Sequence, residues 1–211
     1  LEMNKFKNFT TNIEGIKIHF IRKKGSSKNS QPLLLMHGWP GSVIEFLNII
    51  EKLAHPEKFG GNEKDSFDVI VPSLPGFGFS GSPSKPIGPR KMAEILNKLM
   101  TENLGYKDYM AQGGDWGATI ANWLGYDHSN FCKAIHINCL TMRHPEGPQS
   151  DEERNWQKKF NEDQIMQEGY RTQQATKPQS LGYGMMDSPV GVAAWIIEKM
   201  HSWSDLKNND I

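Results

Sequence analysis

Cysteine is scarce: Cys132 and Cys139 are the only two in 211 residues, too few for the disulfide framework of a small secreted domain. They stand seven positions apart around one apolar run, an odd spacing that puts them on opposite faces of a strand. Reduced, unpaired cysteines point to an intracellular protein. An excess of one charge is lacking too. Lys plus Arg and Asp plus Glu both number 24, so the formal net charge is zero. That balance argues against a nucleic-acid surface or a polybasic membrane patch. No apolar run approaches the roughly 18–20 residues that span a bilayer, and residues 1–10 carry no signal-peptide core. Apolar residues make up 37% and mean hydropathy is −0.59, low for an enzyme with a buried sheet. The 10% aromatic content is still too high for disorder. There is no internal repeat and no low-complexity segment.

What is present is an alternation of strands and helices. Ile16–Arg22 alternates as a strand, while Pro32–Met36, Phe67–Pro72, Tyr109–Gln112 and Ala134–Asn138 are short apolar runs bounded by turn residues. Such runs suit strands buried on both faces. Between them, Val43, Phe46, Leu47 and Ile50 share one helical face. Pro89 opens a second pattern through Met92, Ile95, Leu96 and Leu99, and residues 118–126 form a third. The alternation implies parallel βαβ units and hence an α/β sheet. After Asn138 it stops. Residues 142–149 read as a polar loop, Ser150 with Glu153 is a capping-box signal opening a charged helix to about Glu168, and Ser188-Pro189 opens a second helix.

Two motifs carry chemistry. Gly113-Gly114-Asp115-Trp116-Gly117 lies where a strand meets a helix, in the small-x-nucleophile-x-small pattern of the α/β-hydrolase nucleophile elbow. The glycines permit the tight turn, and the helix start aims free N–H groups at the lifted side chain. His37-Gly38-Trp39-Pro40-Gly41 directly follows the Pro32–Met36 strand. Its Trp39 N–H is a candidate oxyanion-hole donor, with the Trp116 N–H as the second. Pro72–Gly78 forms a turn at the same rim, where open α/β sheets place their ligands. A carboxylate at the elbow restricts the reaction. Attack of serine on saturated carbon would leave an ether, whereas Asp115 would leave an ester that water can cleave. The chemistry is therefore substitution at sp3 carbon, either epoxide opening or dehalogenation. The competing reading is that Asp115 merely caps the following helix.

HGWPGS at residues 37–42, PSLPGFGFS at 72–80, QGGDWG at 112–117 and the long block at 169–199 resemble epoxide hydrolases of the microsomal type, including their soluble bacterial relatives. The resemblance runs from about Lys5 to the chain's end, and its likeness to the soluble bacterial members implies a cytoplasmic setting. It implies an α/β-hydrolase fold, mostly parallel with helices on both faces, with residues 1–140 as the N-terminal part of the core and 141–211 as a partial helical lid. It also implies that Tyr170, ahead of Thr176-Lys177-Pro178, donates a proton to the opening epoxide oxygen, and that no cofactor or metal is needed. His37, Gly38, Pro40, Gly113, Gly114 and Gly117 are expected to support the turn and the elbow. The partners implied are a small apolar epoxide and water, with room for a homodimer and for the remaining C-terminal half of the same protein.

The ester step needs a general base and an acid that orients it. In this fold the order is nucleophile, acid, histidine. His128 lies past a helix, His136 on a strand, His144 in a loop and His201 on a lid helix, and His19 and His55 have no motif. Tyr183 does not fit the second lid tyrosine of the family. The expectation is an internal fragment with five core strands, the elbow and the first part of the lid, its base and acid outside this chain. A haloalkane dehalogenase is the alternative enzyme, since the two tryptophans could stabilise a leaving halide. A truncated, non-catalytic hydrolase-like binding protein is the alternative non-enzyme.

Overall fold

The structure, a computed structural model, describes residues 2–139 and 144–206. It divides into two units, Leu1–Thr141 and Met142–Ile211. The boundary expected between residues 140 and 141 falls outside the described residues, as do residues 142 and 143 of the expected loop.

The first unit is built on one six-stranded sheet: β1 (Asn8–Ile13), β2 (Ile16–Lys23), β3 (Gln31–Met36), β4 (Phe67–Pro72), β5 (Tyr109–Gly113) and β6 (Cys132–Ile137), in the order β1-β2-β4-β3-β5-β6. β4, β3, β5 and β6 run parallel, while β1 pairs antiparallel with β2 and β2 antiparallel with β4. The central strands read as unbroken apolar runs because both their faces are covered. Leu34, Met36 and Ile70 enter one core cluster, whereas Leu35, Val69 and Val71 enter the other. On the second face lies α1 (Leu47–Ala54), led in by a 3₁₀ turn at Val43–Phe46, through Val43, Phe46, Ile50 and Ala54. On the first face lie α2 (Pro89–Lys98) and α3 (Trp116–Asp127), through Ile95, Leu96, Ile120 and Leu124.

Two expectations need correction. The sequence indicates five strands, and the structure has a sixth, β1. Five of its six residues are not fully buried, so its apolar alternation is faint. It forms through a tight reversal at Glu14 and Gly15, both at positive φ, where the Asn12 side chain accepts the Gly15 N–H. Nor are all strands covered on both faces. β6 is buried only at Cys132, and Ile135 is 40% exposed. Cys132 is buried and Cys139 exposed, and both are unpaired.

In the second unit the described residues are all helix and connection. α4 (Asp151–Gln167) starts at a capping box in which Ser150 accepts the Glu153 N–H at 3.1 Å and Glu153 returns to the Ser150 N–H at 3.0 Å. α5 (Gly169–Thr176), α6 (Pro178–Asp187) and α7 (Pro189–Trp203) follow, and the Ser188 side chain caps α7. The sequence marks only the starts of α4 and α7. α5 and α6 are short, and the proline between them reads as a breaker rather than as the first residue of a new helix. No helix of the described residues is long and apolar enough to cross a membrane.

Candidate active site

Asp115 sits between the end of β5 and the start of α3 with φ 51° and ψ −121°. A non-glycine residue adopts such a backbone only when its surroundings impose it. The imposition is visible in the glycines. A Cβ at Gly113 would overlap the Gly117 carbonyl, and one at Gly117 would overlap the Met36 carbonyl oxygen. Strand, elbow and helix therefore meet at backbone-to-backbone distance, and the chain can turn there only by lifting Asp115 outward.

The Asp115 side chain makes no cap hydrogen bond to α3. It reaches instead across to the turn after β3, where the Trp39 backbone N–H donates to Asp115 Oδ1 at 2.8 Å. This contact separates a presented carboxylate from a simple helix cap. Gly38 makes the approach possible, since a Cβ there would overlap the Asp115 side chain. Trp116 opens α3, so its N–H belongs to the helix start and has no intrahelical acceptor. Pro40 follows Trp39 through a cis peptide bond.

His37 ties two rim turns together. The Leu74 N–H donates to His37 Nε2 at 3.2 Å, so Nδ1 carries the proton and donates to the Gly38 carbonyl at 2.9 Å. The Phe77 ring meets the imidazole edge-on at 5.5 Å. Burial holds the His37 pKa below the usual histidine value, against the Gly38 carbonyl and the Asp115 charge, which raise it. With both ring nitrogens engaged, His37 is a brace. His136 is exposed on β6, and His128 caps the end of α3.

Three residues without a sequence motif take part. Buried His19 has Nδ1 2.9 Å from Ser73 Oγ and Nε2 2.9 Å from Asn8 Oδ1, bracing the Pro72–Gly78 turn from β2. Asn138 packs its amide on Gly114, where a Cβ would lie 2.5 Å from its Oδ1. Glu45 lays its carboxyl on Gly41. The only available signal is the Gly41–Glu45 spacing of one helical turn. Depressions of about 290 Å³ beside Pro75 and about 550 Å³ beside His19 do not include Asp115.

Asp115, Trp39, His37, Gly38 and the elbow glycines thus come together in the first unit. Tyr170 belongs to the second, near the start of α5. Its ring packs edge-on against Trp203 at 5.1 Å, with Lys199 Nζ 5.4 Å from the ring centre. Tyr183 is exposed on α6. Among the described residues no cluster of three metal-ligating side chains occurs.

Residues 31–181 match the alpha/beta hydrolase fold family, and residues 1–46 match the family described as epoxide hydrolase N terminus. A protein of the flea Ctenocephalides felis named juvenile hormone epoxide hydrolase 1 is 39% identical over 225 residues, covering 96% of this chain and 47% of that protein. The rabbit (Oryctolagus cuniculus) protein named epoxide hydrolase 1 is 35% identical over 232 residues, covering 99% and 51%. The crystal structure of juvenile hormone epoxide hydrolase from the silkworm Bombyx mori superposes with a TM-score of 0.82 at 35% identity, covering 96% of this chain and 52% of that one. The chain spans about half the length of the curated relatives it matches.

Proposed function

Since this chain belongs to the alpha/beta hydrolase fold family, we propose that it is the nucleophile-bearing portion of an epoxide hydrolase. The supporting observation is the Asp115 carboxylate, held off α3 and facing the Trp39 N–H at 2.8 Å. Asp115 attacks an oxirane carbon, the ring C–O bond breaks, and Tyr170 donates its phenolic proton to the released oxygen. The product is a hydroxyalkyl ester of Asp115. Water then adds to the ester carbonyl, and the N–H groups of Trp39 and Trp116 stabilise the oxyanion. Collapse returns the Asp115 carboxylate and releases a vicinal diol, one proton of the water going to the departing diol oxygen and the other restoring the Tyr170 phenol.

The second half needs a base. His37 is engaged at both nitrogens, which supports a base and an acid partner supplied from outside these residues. The chain by itself then consumes about one equivalent of epoxide and stalls as the ester. The unpaired Cys132 and Cys139 support an intracellular setting, and a homodimer is compatible with this reading.

Mixing the chain with an aryl epoxide and measuring substrate lost, diol formed and halide released tests the proposal. Stoichiometric loss with no diol is expected. Halide release from a haloalkane would favour the dehalogenase, and no consumption at all would leave only the binding protein.

A further inference from the structure

Glu45 is the acidic group beside the elbow that the reaction above does not use. It stands four residues after Gly41 and folds its carboxyl back onto the turn. A Cβ at Gly41 would overlap Glu45 Oε1, and it would also lie 3.3 Å from the Gly38 carbonyl oxygen. Asp115 occupies the other end of the same turn, against Gly38. Two carboxyl groups therefore bracket Gly38–Gly41, and the backbone between them carries the Trp39 N–H that points at Asp115.

The surroundings of Glu45 are specific. The residue keeps solvent exposure along its length, but its carboxyl end is crowded by the turn. Loss of water there raises its pKa most, the Ser42 backbone N–H opposes the rise, and the negative charge of Asp115 adds to it. No cation is among the groups that shift it. The titratable group facing Glu45 from the elbow is thus Asp115.

We propose that Glu45 is a positioning residue whose carboxyl, folded onto Gly41, is electrostatically coupled to the nucleophile held against Gly38 at the other end of the same turn. This rests on the reading of Asp115 as the nucleophile. Ring opening converts Asp115 from an anion to a neutral ester, which removes the like charge opposing ionisation of Glu45. Glu45 then loses its proton to water more readily. A side chain at Gly41 would displace that carboxyl.

Carbon-13 NMR of the chain labelled at its glutamate carboxyls tests this, with the Glu45 signal identified by its loss in Glu45→Gln. The Glu45 titration midpoint is followed in the unmodified chain and in Asp115→Asn, whose neutral amide copies the charge of the ester. The epoxide adduct of the unsubstituted chain gives the same comparison without a substitution. A fall of about one unit in Asp115→Asn and in the adduct is expected, and an unmoved midpoint overturns the coupling. Intact mass of the same samples reports separately on the proposed function. An adduct with an unmoved Glu45 overturns the coupling alone, whereas a moved Glu45 with no adduct overturns the function alone.

Discussion

Asp115 bears a cost that its neighbours sustain. Its positive φ costs about 1–3 kcal/mol in a non-glycine residue. Asp115→Gly should therefore raise stability in urea denaturation by about 1 kcal/mol or more while abolishing ester formation. Unchanged or lower stability would mean that the elbow is not strained. Tyr170→Phe removes the proposed proton donor and should slow ring opening by about 10²–10⁴-fold, read as the rate of epoxide loss under single-turnover conditions. His37 sets an acid limit. Burial depresses its pKa in the folded chain, so below the ordinary histidine value of about 6.5 the unfolded state binds a proton that the folded state refuses. Its contribution to stability is complete above that value and is lost as pH falls toward the lower folded pKa. Buried His19 is shifted the same way, chiefly by burial. The urea midpoint should fall steadily from about pH 6.5 downward; a flat profile would contradict the assigned protonation of both rings.

At the scale of elements, the contact of β3, β5 and α3 decides the site. Gly117→Ala would push α3 away from the Met36 and His37 carbonyls, and overpacking of this kind costs about 1–3 kcal/mol. The Trp39-to-Asp115 hydrogen bond spans the same seam, so ester formation should fall with stability. Ser150→Ala removes half of a capping box and should cost α4 about 1 kcal/mol, seen as faster amide exchange in its first turn with no change at Asp115. β3, β4 and β5 are legible in the sequence because strands covered on both faces leave unbroken apolar runs, β2 is legible by its alternation and β6 by a short apolar run although it is mostly exposed, and α1 to α3 are legible by their apolar faces. β1 is not, because an edge hairpin strand with mostly exposed residues needs little apolar pattern. α5 and α6 are not, because their helices have no buried residues and their boundaries rest on turn chemistry alone.

For the whole molecule, the elbow and the turn after β3 are legible as motifs 76 residues apart in the chain, Trp39 to Asp115. Their meeting at hydrogen-bond distance is not, because it depends on β3 and β5 being adjacent parallel strands. The roles of His19 and Asn138 are equally hidden, since each acts through contacts between separate elements that no local spacing encodes, and Glu45 shows only in its spacing of four from Gly41. The low mean hydropathy of −0.59 has a structural counterpart. The first unit holds two well-filled core clusters, while the helices of the second contain no buried residue. The central claim is that Asp115 is the nucleophile. Peptide mass mapping after reaction with an aryl epoxide tests it most directly. One added epoxide mass is expected on the peptide carrying Asp115 and none in Asp115→Asn; an adduct on another residue, or one that persists in Asp115→Asn, would rule out Asp115 as the nucleophile.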